Sequence, residues 1–208
     1  MPGVHSFWLF VVSGLLLNIT PGQDTLYIVG RTMSQGRRAG LLSVLGISSG
    51  SVIHTLAAAF GLSAILATSA VAFSVVKMAG AAYLVYLGVR MLIDRSATPT
   101  ETRAFARERD WPIYRAGLFT NMLNPKVALF FMAFLPQFVD PVAASRILAF
   151  LFLGGVFIFN GTLWCLVLVW GASAMSRRLR SNRSAGIFLK RAAGAIFVGL
   201  GARLAFTK

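Results

Sequence analysis

Two short polar runs interrupt apolar stretches of this 208-residue chain, and they hold residue types that could bind a charged small molecule. The first extends from Asn18 to Asp24 and the second from Asn121 to Lys126. Each run contains a proline, which removes a backbone donor and clashes with the preceding helical turn. We therefore predict a helix break at each run. The candidate residues for binding a substrate or a proton are Asn18, Thr20, Pro21, Gly22, Asp24, His54, Asn121, Asn124, Pro125 and Lys126.

Asp24 and Lys126 are the charged side chains of these runs. A charge at the centre of a membrane costs about 3 kcal/mol on insertion scales, so Asp24 should face the protein interior or a water-filled cavity. If the two breaks meet at mid-membrane, Asp24 and Lys126 are ion partners or the opposite poles of a site for a zwitterion. Two simpler interpretations remain open. Asp24 could cap its helix or pair with Arg31, and Lys126 could extend to the membrane interface.

Further polar and small residues lie in the next apolar stretch. His54 follows Ser48 and Ser51, and it could either line the same cavity or be an interhelical histidine whose hydrogen bonds are satisfied. Gly46 and Gly50 have the GxxxG spacing that allows two helices to approach closely. We interpret this pair as packing within the bundle, with a homodimer as the alternative.

The composition identifies the elements that must position these residues. Hydrophobic residues make up 57% and charged residues 12% of the chain, and the mean hydropathy is +0.74. Only helices and closed barrels satisfy backbone hydrogen bonds in a membrane, and residues 150–169 lack the alternation of a barrel strand. We therefore predict an all-α membrane protein with six transmembrane helices. Their approximate ranges are 7–29, 41–66, 71–93, 116–137, 147–172 and 187–206.

The two halves of the chain resemble each other, which indicates an internal repeat. Pro21 aligns with Pro125, and residues 77–90 align with 190–203. A repeat of three spans has an odd number of crossings, so the second copy enters the membrane from the opposite face. We predict a single domain, 1–208, built of two inverted three-helix repeats. Repeat one covers about 1–93, a cytoplasmic linker about 94–115, and repeat two about 116–208.

Basic residues set the predicted orientation. Most of the 20 Lys and Arg residues flank the same ends of the predicted spans, and short basic loops remain in the cytoplasm. Both termini should therefore face outward. The net charge of +14 is explained by these flanking cations beside anionic lipids, so we expect no nucleic-acid partner.

On these motifs the chain resembles the LysE/RhtB superfamily of bacterial amino-acid exporters, over nearly its whole length. The resemblance rests on the polar run of the first span, the Asn-Pro-Lys run of the fourth and the six-span layout. Members typically have Pro-Gly-Pro-Asp in the first motif, whereas this chain has Gln23 in the third position. That departure puts the local geometry of the first break in question and leaves Asp24 in place.

The resemblance implies a secondary active exporter in the bacterial inner membrane. Its substrates would be amino acids, homoserine, homoserine lactone or related small metabolites, and export would be coupled to protons. Asp24 would then be the group that is protonated in the transport cycle. The expected partners are a small amino-acid-type substrate, the lipid bilayer and protons, and we expect no cofactor and no bound metal.

Two other classes of function are weaker alternatives. An exporter of a divalent metal would need several ligands, and only Asp24, His54 and Cys165 lie clearly within the predicted spans. A membrane enzyme acting on lipid-linked substrates would need a phosphate loop or a metal-binding helix motif, and the sequence contains neither. The sequence therefore predicts a transporter and not an enzyme.

Overall fold

The computed structural model describes residues 3–62, 107–140, 143 and 145–174, with isolated helical positions between 71 and 93 and at 198 and 202. The regular secondary structure of this part is helical, with one isolated β-bridge between Val4 and Val139, which confirms the predicted all-α class. The helices are α1 (Phe7–Ile19), α2 (Gln23–Gln35), α3 (Arg37–Leu56), α4 (Asp110–Met122), α5 (Pro125–Leu129) and α6 (Arg146–Ala174). A π-helical segment, Ala57–Leu62, continues α3, and the segments Phe130–Phe134 (π) and Leu135–Phe138 (3-10) continue α5.

Some of the described helices are long enough to span a membrane. Arg37–Leu62 and Arg146–Ser173 are each long and apolar enough to cross a bilayer. Asp110–Met122 and Pro125–Phe138 form a third candidate span with a bend of 46° between its two parts. The predicted spans 71–93 and 187–206 fall largely outside the described residues, as does most of the linker. The six-span count, the inverted repeat and the orientation therefore remain predictions.

The predicted first span, residues 7–29, is two helices. α1 ends at Ile19, and α2 begins at Gln23 and continues to Gln35, beyond the predicted end. Gly36 then adopts a φ of 85°, a left-handed conformation that glycine tolerates without strain and that ends α2 where α3 begins. The break at Pro21 is confirmed. α2 extends past the predicted end because its last residues are largely polar, and hydrophobicity alone does not indicate a helix there.

The fourth helix also begins earlier than predicted, at Asp110 and not at residue 116. Asp110 is acidic in the first turn, where a negative charge stabilises the helix dipole, and it bonds to Arg38. Pro112 lies within the same turn, where a missing backbone donor leaves no helical bond unmade. The end of the predicted linker is therefore helical.

Tight glycine contacts fix α3 against α4. A Cβ at Gly46 would clash with the backbone carbonyl of Tyr114, and one at Gly50 would lie 2.9 Å from the carbonyl oxygen of Leu118. The predicted packing of this glycine pair within the bundle is confirmed. The homodimer is untested.

Among the described residues, the buried core forms two clusters. One part is a cluster rich in phenylalanine, which includes Phe130, Phe131 and Phe157. The other is smaller and includes Ile28 and Ile47. Residues from both parts contribute to the wall of a small cavity, which lies beside the two helix breaks.

Candidate substrate site at the two helix breaks

At the first break, the carbonyl that the proline leaves free accepts a hydrogen bond from a side chain in the other half of the chain. An α-helical carbonyl accepts from the N–H four residues later, so Pro21 leaves the carbonyl of Leu17 without its helical donor. Lys126 Nζ supplies that donor at 3.0 Å and also donates to the carbonyl of Thr20 at 3.0 Å. Gly22 permits this approach, since a Cβ there would lie 3.1 Å from Nζ. Lys126 thus completes the end of α1.

Thr20 secures the last turn of α1 in a different way. Its backbone N–H donates to the carbonyl of Leu16 at 3.0 Å, and its hydroxyl donates to the same oxygen at 2.7 Å. These bonds leave the carbonyl of Leu17 to Lys126. Thr20 and Pro21 therefore shape the backbone of the site.

At the second break, the backbone groups that the proline leaves free are bonded largely by residues of the break itself. Pro125 stands at the first position of α5, where its missing N–H is tolerated, and the side chain of Asn124 caps α5 by accepting from the Lys126 amide at 3.1 Å. Pro125 deprives the Asn121 carbonyl of its helical donor. That oxygen accepts instead from the Asn124 amide at 2.9 Å and lies 3.2 Å from His54 Nε2.

His54 therefore has an interhelical role, and the structure does not bring it into the cavity wall. A carbonyl oxygen only accepts, so Nε2 must carry the proton in this bond. The His54 ring also stacks on Phe131, with 5.7 Å between the ring centroids. Of the two interpretations of His54 from the sequence, the satisfied interhelical histidine agrees with this geometry. In this conformation the ring is held against Asn121 and Phe131 and is not part of the cavity wall.

Asp24 is fixed by one oxygen and leaves the other unbonded. It lies in the first turn of α2, where the helix dipole stabilises a carboxylate. Its Oδ2 accepts from Asn121 Nδ2 at 2.8 Å, and Asn121 Oδ1 in turn accepts from Ser51 at 3.1 Å. Oδ1 of Asp24 is buried and has no hydrogen-bond partner within the part of the chain that the structure describes.

The charged residues are not arranged as the simpler interpretations supposed. Arg31 is buried and pairs with Glu108 at 2.9 Å, while Asp24 bonds to Asn121, so an Asp24–Arg31 pair is wrong. Lys126 points to the first break and does not extend to an interface. Asp24 and Lys126 line the same cavity, and each makes its hydrogen bonds to other groups.

The cavity has a volume of about 30 Å³. That is room for about two water molecules, whereas an amino acid is several times larger than water. Four predicted residues reach its wall, namely Asn18, Asp24, Asn121 and Lys126. The apolar side includes Ile47, Val127, Phe157 and Ile158. The other predicted residues act through the backbone of the breaks or, for His54, through Asn121.

Several residues of the wall escaped the sequence analysis. The polar ones are Thr25, Thr162, Trp164 and Cys165, together with Ser48 and Ser51, which were noted only as neighbours of His54. A signal existed in α6, where Gly161 and Thr162 interrupt an otherwise apolar stretch. Trp164 gave none, because a tryptophan in a membrane helix is unremarkable without a neighbour.

Three residues of the cavity wall each have a buried polar atom without a partner in the described part of the chain. Asn18 Nδ2 and Trp164 Nε1 are buried donors with no protein acceptor among the described residues, and Asp24 Oδ1 is the corresponding acceptor. Most buried polar atoms in proteins have a partner, so such atoms are ready to bond to a ligand or to water. Within the same described ranges, no group of three or more His, Cys, Asp or Glu side chains could hold a metal ion.

Broken helices around a partly enclosed cavity, carried on apolar spans, indicate a multi-pass membrane transporter. Comparison with known proteins gives the family. The LysE type translocator family matches residues 15–208, and the chain belongs to that family. It is therefore a membrane transporter and not an enzyme, and it exports amino acids or similar small molecules. No solved structure matches the chain.

Similar proteins cover nearly the same length. A leucine efflux protein of Enterobacter sp. (strain 638) is 29% identical over 98% of this chain and 96% of its own. A leucine efflux protein of Salmonella typhimurium is 28% identical, again over 98% and 96%. An uncharacterized membrane protein of Vibrio cholerae is 30% identical over 99% of this chain and 98% of its own.

Proposed function

We propose that the protein is a proton-coupled exporter of zwitterionic amino acids with apolar side chains, of which leucine is the model substrate, across the bacterial inner membrane. The observation that carries the proposal is the cavity wall. Its polar residues include three with a buried atom that has no partner among the described residues, namely one carboxylate oxygen and two donors, and the rest of the wall is largely apolar. The similarity to leucine efflux proteins supports the same substrate class.

A free amino acid matches each part of this wall. Its ammonium group can donate to Asp24 Oδ1, and its carboxylate can accept from Asn18 Nδ2 and Trp164 Nε1. An aliphatic side chain fits against Phe157 and Ile158. Homoserine lactone lacks the free carboxylate, so it would leave the two donors unbonded, and we expect it to be a poorer substrate.

Export is coupled to protons because one carboxylate binds either the substrate or a proton. Asp24 can bind the substrate's ammonium group or a proton, and not both at once. A proton that arrives from outside would therefore prevent the substrate from rebinding, and its release to the cytoplasm would restore the site. The two breaks provide the half-helices that must move, because the cavity in this conformation is too small for an amino acid.

Inside-out membrane vesicles test this proposal. Vesicles that contain the protein and are acidified inside should accumulate radiolabelled leucine, and a protonophore should abolish the accumulation. Unlabelled isoleucine and valine should compete, and homoserine lactone should compete weakly. Vesicles from cells without the protein are the control. Leucine uptake no greater than in the control would refute the substrate class, and uptake that is indifferent to the protonophore would refute proton coupling.

A further inference from the structure

The end of α1 forms a cradle for an ammonium group. The carbonyl oxygens of Leu17 and Thr20 each lie 3.0 Å from the same nitrogen, Lys126 Nζ. One of these oxygens lacks a helical donor because of Pro21, and the C-terminal end of a helix carries partial negative charge. In transporters with discontinuous helices, half-helix C-terminal ends coordinate cations. The two carbonyls therefore make a cation-binding site, and it is occupied.

Its occupant is tethered but comes from far along the chain. Lys126 lies 109 residues after Leu17, on the first turn of α5. A lysine ammonium has three donors, and the cradle uses two of them. A fixed structural cap could be neutral, whereas a lysine introduces a charge that is costly inside a membrane. The same primary ammonium group is present on every amino acid that the site is proposed to carry.

We propose that the carbonyls of Leu17 and Thr20 are a subsite for a primary ammonium group, filled by Lys126 in the empty transporter and by the substrate's ammonium in the loaded one. The inference rests on the proposed function, because it takes the substrate to be an amino acid. Loading then exchanges one ammonium for another, so the two carbonyls always have a donor. The substrate's ammonium has three donors, and the third remains for Asp24 Oδ1. The displaced Lys126 remains in the cavity, where its charge balances the substrate's carboxylate.

The exchange of Lys126 for the substrate's ammonium can be tested with two ligands, each of which keeps one of leucine's two charged groups. Isoamylamine has the leucine side chain and an amine without a carboxylate, and isocaproate has the carboxylate without the amine. We compare their binding to the purified full-length protein in lipid nanodiscs, by calorimetry, for the wild type and Lys126→Met. Removal of the internal competitor should tighten isoamylamine binding about tenfold or more, the effect of one hydrogen bond to a charged group. Isocaproate should bind no more tightly than to the wild type.

A second variant displaces Lys126 without removing its charge. In Gly22→Ala the new Cβ would lie 3.1 Å from Nζ, so the ammonium must give way by a few tenths of an ångström, which should weaken its bonds to the carbonyls. We expect a smaller increase in isoamylamine affinity of the same sign. Gly171→Ala is the matched control, because a Cβ at Gly171 meets open space, and its isoamylamine affinity should equal that of the wild type.

The results separate this inference from the proposed function. Unchanged, weaker or undetectable isoamylamine binding in Lys126→Met overturns the inference. If Lys126 were instead a direct ligand for the substrate's carboxylate, Lys126→Met would lose isocaproate binding and leave isoamylamine unchanged. The proposed function is judged by leucine transport in wild-type vesicles, which does not depend on either variant. A wild type that exports leucine, beside a Lys126→Met variant with no gain for the amine, would therefore reject the inference alone.

Discussion

The two helix breaks differ in how the carbonyl freed by each proline is satisfied. At the first break, Leu17 accepts from the Lys126 ammonium, which belongs to the other half of the chain. At the second, Asn121 accepts from the neighbouring Asn124 amide, with His54 at 3.2 Å. A side-chain ammonium can withdraw and be replaced, whereas a backbone amide is fixed in place. The first break is therefore the exchangeable one, and the second is the more rigid.

The charges of the two breaks are divided in the same manner. Asp24 follows Pro21 by three positions, and the residue three positions after Pro125 is Ala128. Lys126 directly follows Pro125, and the residue that follows Pro21 is Gly22, whose missing Cβ leaves space for the lysine. One break thus contributes the acid and the other the base. The two breaks are therefore complementary in charge, and neither break forms the site alone.

The largest expected effect is that of Asp24→Asn at the first break. The amide can still accept from Asn121, so folding should be retained, but it can neither bind an ammonium as a carboxylate does nor take up a proton. We expect leucine export to fall about 100-fold, the upper range for one hydrogen bond to a charged group. Efflux from leucine-loaded cells measures it, with the amount of protein in the membrane checked by immunoblot.

Asp110→Asn is the matched control for this prediction. Asp110 is half-exposed, pairs with an exposed Arg38 and lies away from the cavity. Exposed ion pairs contribute little, so export by this variant should be close to that of the wild type. Normal export by a well-expressed Asp24→Asn variant would place the acid of the transport cycle elsewhere.

Substitution of the two prolines should have smaller effects on export, and the effects should differ between the two breaks. Pro21→Ala introduces an N–H that can donate to the Leu17 carbonyl and so compete with Lys126. We expect export to fall roughly tenfold, within the range for weakening one charged hydrogen bond. Pro125→Ala should reduce export less, because the Asn121 carbonyl already accepts from Asn124. The measurement is the initial rate of leucine uptake into inside-out vesicles. Equal losses in the two variants would show that the breaks do not differ in function.

The positions of both breaks could be predicted from sequence because their cause is local. Pro21 and Pro125 remove an N–H whatever surrounds them, and Asp24 must avoid lipid in any fold. The partners could not be predicted. The bond from Lys126 to Leu17 joins residues 109 apart, and nothing near either residue indicates the other. The C-terminal end of α2 and the start of α4 were missed for a related reason. These segments are polar, so hydrophobicity does not indicate a helix there, and contacts such as the ion pair of Arg31 with Glu108 help to stabilise them.

The smallest effect is expected at the second break, from His54→Leu. The substitution removes the contact from Nε2 to the Asn121 carbonyl, which keeps its bond from Asn124. We expect a loss of about 1 kcal/mol of stability, seen as a lower unfolding temperature in detergent, with the KM for leucine unchanged. The exposed His5 supplies the control, and His5→Leu should change neither quantity. A changed KM in His54→Leu would mean that the second break also responds to substrate, and the contrast between a fixed and an exchangeable break would fail.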